Sequence, residues 1–161
     1  MKLIPYLLYL LLLAFHDTIL VELISVKGIT MDITILMVVL VALYKSEEEA
    51  IWFGFFAGMV AGATDVSLMP YEIIVVLIIA AISNQMANRI NLDSLISRII
   101  ILASAVILHR AVVTLMVSSE EFFFVFFRFI VPAAAYTMIA GLVYFMIKDG
   151  RITWQKMKAL F

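Results

Sequence analysis

The chain has 161 residues, of which 66% are hydrophobic and only 14% are charged, and its mean hydropathy is +1.17. Water-soluble domains are about 45–50% apolar and about 25% charged, so this composition indicates a polytopic membrane protein. The length supplies about six helices of roughly 20 residues and leaves no room for a soluble domain. Cysteine is absent, which excludes disulfide bonds, thiolate metal sites and cysteine nucleophiles.

Apolar runs separated by short polar clusters predict an all-α bundle of about six transmembrane helices over residues 1–150. The predicted spans cover residues 3–25, 32–45, 49–68, 71–88, 95–117 and 120–147. The first run lacks a signal-peptide cleavage site, so we expect it to be retained. The second run is shorter than the roughly 17–25 residues that a membrane-spanning helix needs. It is therefore expected to be either a tilted span in a locally thinned membrane or a re-entrant segment. Residues 151–161 are expected to form a cytoplasmic tail that can lie along the membrane surface.

Two serine–glutamate pairs mark predicted helix starts. Ser46-x-x-Glu49 and Ser118-x-x-Glu121 each precede a long apolar run. In this pattern the serine oxygen and the glutamate carboxylate accept hydrogen bonds from the unpaired amides of the first helical turn. We therefore expect both serines to cap helices.

Basic residues are distributed unevenly between the two predicted sides of the membrane. With six spans and both termini inside, eight lysines and arginines fall on the cytoplasmic side and only Lys27 falls in an outer loop. This bias is the usual one for cytoplasmic loops. It also favours a second segment that spans, because a re-entrant one would reverse every later loop. The expected location is the bacterial cytoplasmic (inner) membrane, with both termini cytoplasmic.

A ridge of small residues occupies the third span. Gly54, Gly58 and Gly62 are spaced one helical turn apart. Such a ridge lets two helices approach closely. Close approach matters in lipid, because the lipid tails are themselves apolar and the hydrophobic effect contributes little to helix association. Packing within the bundle is the commoner use of such a ridge, and docking of a partner helix remains open.

Six ionisable residues are predicted in the outer half of the membrane. They are Asp17, Glu22, Asp65, Glu72, Arg110 and Arg128. Because an unpaired charge in lipid costs about 2.5–3.5 kcal/mol, we expect Arg110 or Arg128 to pair with an acidic residue inside the bundle. The acids expected as partners are Asp17, Glu22 and Asp65.

This set of charges admits two interpretations. A structural ion-pair cluster is favoured, and an outward-facing pocket for a small ligand is the alternative. His16 and His109 lack a second ligand at helical spacing, so both are expected to be hydrogen-bonded structural residues. No catalytic, metal or cofactor site is predicted, and neither an enzymatic activity nor a nucleic-acid partner is expected.

The arrangement of spans resembles the MreD family, the small membrane proteins of the bacterial rod-shape system. A polar first span, a charged inner turn and a third span that opens with Gly54, Phe55 and Gly58 carry this resemblance. Gly62 stands where the family usually has an acidic residue, and Asp65 supplies an acid one turn later. The resemblance implies a non-enzymatic scaffold of the peptidoglycan elongation complex. Its expected partners are an MreC-like single-span protein, an MreB-like filament, cell-wall synthases and membrane lipid.

MreD-like proteins are similar in fold to the substrate-binding S components of energy-coupling-factor vitamin transporters, which supplies an alternative function. S components commonly carry an Ala-x-x-x-Ala pattern on their first helix to couple with the energising partner. The first helix here reads LIPYLLYLLLLAF and has no such pattern. The scaffold is therefore the favoured hypothesis.

Overall fold

The computed structural model describes residues 3–21, 25, 28–90, 92–117 and 120–150. Every regular element in these ranges is a helix, so the predicted all-α class is confirmed. Within this part of the chain we number six helices, two of which contain a π-helical turn. They are α1 (Leu3–Phe15, continued by the π turn His16–Leu20), α2 (Ile33–Tyr44), α3 (Glu47–Gly62), α4 (Met69–Arg89), α5 (Leu95–Val117) and α6 (Phe122–Val125, the π turn Phe126–Ile130, and Val131–Lys148).

Three of these helices have the length and apolar composition needed to cross a membrane. Among the described residues they are α4, α5 and α6, while α1 and α2 are apolar but shorter. Helix α3 opens with three glutamates, which suit the positive end of its dipole. The predicted tail over 151–161 lies outside the described residues.

One predicted helix cap is confirmed, and one predicted helix end is corrected. The hydroxyl oxygen of Ser46 accepts the amide N–H of Glu49 at 3.4 Å, which confirms the first predicted cap. Ser118 of the second predicted cap lies outside the described residues, and the described part of α6 begins at Phe122 with Glu121 at its N-cap position. Helix α3 ends at Gly62 rather than near residue 68, so the segment that follows it is a turn.

Helix α2 is the centre of the bundle. Nine of its 12 residues are buried, and it packs against α3, α4 and α5 with smaller contacts to α1 and α6. Twelve residues extend only about 18 Å, compared with a hydrocarbon core of about 30 Å. An apolar helix of this length is typical of a buried core element. The short second run of the sequence is therefore a core helix that its neighbours surround.

The end of α2 at Tyr44 is held by side chains from two other helices. The side-chain amide of Asn84 on α4 donates to the carbonyls of Ala42 and Lys45, at 2.8 and 3.1 Å. Arg98 on α5 donates to the hydroxyl of Tyr44 at 3.0 Å. Because Asn84 and Arg98 are both buried, these bonds satisfy polar groups that have no access to water.

Arg98 also connects this end of α2 to the end of α6. Its guanidinium forms two parallel bonds with the carboxylate of Asp149, at 2.9 and 2.5 Å. The guanidinium carbon of Arg98 also lies 5.1 Å from the ring centre of Phe145 on α6. A bidentate pair of this kind fixes orientation as well as charge. The ends of α2, α5 and α6 are therefore joined at one level of the bundle.

The glycine ridge of α3 packs inside the protein, against α4. A Cβ atom on Gly58 would lie 2.7 Å from the Cα atom of Ile73, and one on Gly62 would lie 2.6 Å from the Cα atom of Met69. On Gly54 it would lie 2.9 Å from the Cβ atom of Ala80. Because two of these obstacles are backbone atoms, the two helices can approach this closely only with glycine at those positions.

We predict that Gly58→Leu destabilises the protein by about 1–3 kcal/mol, because the new side chain meets the backbone of α4. Equilibrium unfolding in mixed micelles measures the free-energy difference. Ala135→Leu is the matched control, since Ala135 is exposed on α6 and accepts the added volume. Equal stability of the Gly58 variant and the unmodified protein would contradict the close contact.

We predict that Asn84→Ala lowers the free energy of unfolding by about 1–3 kcal/mol, because the carbonyls of the buried Ala42 and of Lys45 both lose a donor. Gln85→Ala serves as the control. Gln85 is the next residue of the same helix and is exposed, so its change should stay within about 0.5 kcal/mol. The same unfolding assay compares the two, and similar losses at both positions would argue against a special role for Asn84.

Candidate functional site

The opposite end of α2 begins at a buried aspartate. Asp32 precedes the apolar run, and its carboxylate accepts the amide N–H of Ile35 at 3.1 Å, as an N-cap residue does. The amide N–H of Asp32 itself donates to the hydroxyl oxygen of Thr137 on α6 at 2.9 Å. That hydroxyl in turn donates to the carbonyl of Ala133 at 2.9 Å. The start of the central helix is thus tied to the last helix of the bundle.

His109 of α5 bridges two carboxylates. Its Nδ1 atom lies 3.0 Å from Oδ2 of Asp32, and its Nε2 atom lies 2.8 Å from Oε2 of Glu72 on α4. Both ring nitrogens therefore face an acceptor oxygen. The imidazolium form, in which each nitrogen carries a hydrogen, satisfies both contacts at once.

Arg110 supplies a second cation to the same aspartate. Its Nε atom lies 3.3 Å from Oδ2 of Asp32. Its Nη2 atom donates to the backbone carbonyl and the hydroxyl of Thr30, at 3.2 and 3.0 Å. With His109 as imidazolium, these four ionisable side chains hold two positive and two negative charges. We call this neutral set, Asp32, Glu72, His109 and Arg110, the outer network.

A cavity of about 380 Å³ adjoins the outer network. Its other polar lining comes from the π turn of α1 and from the start of α2. Nδ1 of His16 lies 2.8 Å from Oδ1 of Asp17, and the hydroxyl of Thr34 donates to Oδ2 of Asp17 at 3.4 Å. A π-helical turn shifts the side-chain positions relative to a regular helix, and such turns are frequent at functional sites. The cavity can therefore present hydroxyls, carboxylates and cations to one small molecule.

The predicted intramembrane charges are only partly brought together. Asp17, Glu72 and Arg110 line the cavity, whereas Glu22 lies outside the described residues. The prediction for Arg110 is wrong among the described residues, because Arg110 pairs with Asp32 and not with Asp17 or Asp65. The physical reason is that Asp32 is the cap of the buried helix and lies at the same level as Arg110.

Asp65 and Arg128 take no part in this cluster. Asp65 is exposed in the turn after α3, where the hydroxyl and the amide of Ser67 donate to its carboxylate. These bonds hold the pKa of Asp65 below its usual value. Arg128 is exposed in the π turn of α6, with its guanidinium 5.7 and 5.8 Å from the ring centres of Phe124 and Phe129. It forms no ion pair with any described residue.

Sequence reasoning did not identify Asp32, Thr30 and Thr137 as parts of the site. An aspartate directly before an apolar run is a helix-start signal, and it would have found Asp32. His109 was expected to be a hydrogen-bonded structural residue, but its partners were not predicted. They are the carboxylates of Asp32 and Glu72, which lie 77 and 37 residues away along the chain. No local spacing encodes such contacts.

Among the described residues, no group of three or more histidine, aspartate and glutamate side chains converges as metal ligands do. The outer network is a chain of pairs, with His109 in the middle and one carboxylate on each ring nitrogen. Its geometry fits neutralisation of buried charge and alignment of three helices, α2, α4 and α5. It equally forms one wall of the adjoining cavity.

The glycine and aromatic residues of α3 face different surroundings. Gly54, Gly58 and Gly62 lie against α4, whereas Phe55 is half-buried on another side of the helix. The ring centre of Phe55 lies 6.3 Å from that of Trp52 and 5.5 Å from that of Phe56. Trp52 and Phe56 are 56% and 45% exposed. We call these three residues the aromatic face of α3.

We predict that Asp32→Ala and Arg110→Ala are coupled. Removing Asp32 leaves Arg110 without its carboxylate and His109 with only one of its two, and loss of one partner of a buried pair costs about 3–5 kcal/mol. The double variant should therefore lose less stability than the sum of the two single variants. Unfolding in mixed micelles measures each corner of the cycle. The Asp65→Ala and Arg110→Ala cycle is the control and should be additive, and additivity in both cycles would contradict the pairing.

Comparison of the chain with protein-family models, with curated proteins and with solved structures found no match.

Proposed function

We propose that the protein is an integral protein of the bacterial cytoplasmic membrane, with an S-component-like bundle of six spans and both termini in the cytoplasm. The eight-to-one bias of basic residues supports this orientation. The polar caps at both ends of α2 support it as well. Backbone ends are tolerated at membrane depth when protein side chains satisfy them, so a 12-residue helix can form part of such a bundle.

Within that membrane we propose a non-enzymatic scaffold of the rod-shape elongation complex. It binds an MreC-like single-span protein and links an MreB-like filament inside the cell to cell-wall synthases outside. The observation that carries this proposal is the closed outer network. Its buried charges neutralise each other across α2, α4 and α5. A fully satisfied polar network makes this end of the bundle rigid, and a rigid shape suits a scaffold.

The aromatic face of α3 is the docking surface that we assign to the single-span partner. The glycine ridge is already occupied by α4, so it offers no groove to another chain. Trp52, Phe55 and Phe56 instead present large rings beside one another on the exposed side. Aromatic side chains are the residues that most often dominate binding energy at protein interfaces.

The second candidate is a substrate-binding subunit of an energy-coupling-factor transporter. The outer cavity of about 380 Å³ is the observation that favours it, because ligand sites fall in the range of about 300–1,000 Å³ and combine apolar walls with a few polar groups. Asp17, Thr30 and Arg110 are the groups that would contact a polar vitamin. The scaffold is preferred because the first helix lacks the small-residue coupling pattern.

Co-purification with the MreC-like single-span protein of the same genome tests the proposal. We predict that the tagged protein captures this partner from detergent extracts. Replacing Trp52 and Phe56 together by alanine should lower the captured amount about tenfold, because two anchor rings of the interface are lost. Unfolding of the double variant should match that of the unmodified protein, since both side chains are exposed.

Ile74→Ala combined with Ile78→Ala is the matched control. Both isoleucines are exposed on α4, so their loss removes similar apolar area away from the aromatic face. Absence of capture by the unmodified protein would overturn the scaffold. A small molecule that co-purifies with the protein and is lost in Arg110→Ala would support the transporter subunit instead.

A further inference from the structure

A second cavity, of about 430 Å³, lies at the other end of the bundle from the outer network. It is enclosed by the first turns of α1, the second half of α2, the start of α3 and the end of α6. We call it the inner cavity. It combines four tyrosines, three charged residues and apolar side chains, which is the lining expected for an amphipathic ligand.

The charged groups of the inner cavity have no ionic partners in the part of the chain that the structure describes. Lys45, Glu49 and Lys148 all line it, yet none lies within ion-pair distance of an opposite charge among the described residues. One carboxylate and two ammonium groups therefore face a common space without neutralising one another. A ligand that carries both a positive and a negative group would pair with both kinds.

The tyrosines of the inner cavity favour an ammonium group. The Nζ atom of Lys148 already lies 2.7 Å from the ring centre of Tyr44, so a primary ammonium contacts an aromatic face here. Tyr6, Tyr9 and Tyr144 add three more rings. Aromatic faces attract cations through the negative charge above the ring.

The hydroxyl of Tyr6 lies beside the carboxylate of Glu49 in this lining, and Tyr6 is only 9% exposed. A hydroxyl that donates to a carboxylate keeps its oxygen lone pairs as acceptors. An ammonium placed beside Glu49 could therefore donate to both the carboxylate and the hydroxyl oxygen.

The inner cavity is bordered by a gap between two helices. Tyr9 on α1 and Tyr144 on α6 both line it, while α1 packs mainly on α3 and makes little contact with α6. Leu7 and Leu11 on α1 are 63% and 64% exposed. An acyl chain in the bilayer can therefore lie along α1 while its headgroup enters the cavity.

We propose that the inner cavity binds the headgroup of a membrane lipid that carries both a phosphate and a primary ammonium, as phosphatidylethanolamine does. Lys45 and Lys148 contact the phosphate. Glu49, the hydroxyl of Tyr6 and the tyrosine rings contact the ammonium. In the proposed orientation this lipid belongs to the inner leaflet, although the binding itself requires only that the helices lie in a bilayer.

The two other common headgroup types fit this lining less well. Phosphatidylglycerol supplies the phosphate but leaves Glu49 without a cation. Phosphatidylcholine supplies a quaternary ammonium, which has no N–H to donate to Glu49 or Tyr6. The expected order is therefore phosphatidylethanolamine first, with the other two behind it.

Native mass spectrometry of the full chain, released from vesicles with equal amounts of these three lipids, tests the proposal. Phosphatidylethanolamine adducts should exceed each of the others about tenfold, as expected for one additional charge-assisted contact. Glu49→Gln should reduce the ratio of phosphatidylethanolamine to phosphatidylglycerol about tenfold, because the ammonium loses its carboxylate and the phosphate loses a repulsive neighbour. Lys148→Gln should reduce both adducts.

Glu48→Gln is the matched control, since Glu48 is exposed at the same helix start and does not line the cavity. Tyr6→Phe removes only a hydroxyl and gives a second test if the Glu49 variant fails to fold. It should lower the phosphatidylethanolamine adduct without changing the phosphatidylglycerol adduct. These mass-spectrometric measurements need no partner protein, so the lipid proposal can fail while the scaffold proposal holds.

Equal retention of the three lipids, or an unchanged ratio in both Glu49→Gln and Tyr6→Phe, would overturn the proposal. Free phosphoethanolamine supplies the remaining comparison. If free phosphoethanolamine displaces the lipid when the two are present at equal concentrations, the cavity recognises a soluble headgroup compound and the lipid assignment is wrong. Displacement only at a large excess would support the lipid, because the acyl chains then contribute to binding.

Discussion

A central helix too short for the bilayer is the constraint on which the rest of the structure depends. Helix α2 extends about 18 Å, and in the membrane location that we propose its start, at the buried Asp32, would lie inside the hydrocarbon core of about 30 Å. Backbone groups left unpaired at that depth cost several kcal/mol each, and the surrounding helices must therefore supply hydrogen bonds. Thr137 and Arg110 bond to backbone groups at the start of α2, and Asn84 does so at its end. Asn84 and Thr137, two buried polar residues of the other helices, are explained by this need.

The same constraint accounts for the two cavities. A helix shorter than its neighbours cannot fill the bundle from one surface to the other, and space remains near each of its ends. The outer cavity adjoins Asp32 at the start of α2, and the inner cavity adjoins Tyr44 at its end. The charges at the outer end neutralise one another, whereas Lys45, Glu49 and Lys148 at the inner end form no ion pair with any described residue. The two ends are therefore chemically different, and the unpaired one has the greater capacity to attract an additional charged group.

Much of this fold could be predicted from the sequence, and the contacts that define its site could not. Runs of apolar residues located all six helices, and the Ser46 cap was correctly identified because its signal is contained in four residues. The glycine ridge indicated a close approach of two helices without naming the second one. The pairing of Arg110 was predicted from depth alone, and depth does not distinguish an acid in a turn, Asp65, from an acid that caps a buried helix, Asp32. Such a distinction depends on which helix lies at the centre, and this follows from packing among distant segments.

The long-range bonds of α2 also bear on how the chain is made. A ribosome delivers α2 to the membrane well before α5 and α6, yet Thr137 lies 105 residues after Asp32 and His109 lies 77 residues after it. During that interval the start of α2 lacks the groups that satisfy it in the finished protein, and a helix of 12 residues is poorly retained by lipid alone. In the membrane location that we propose, we therefore expect the insertion machinery to hold the nascent protein until its last helix arrives. A chain truncated before α6 would lack the contact between Thr137 and Asp32, and we expect membrane proteases to degrade it.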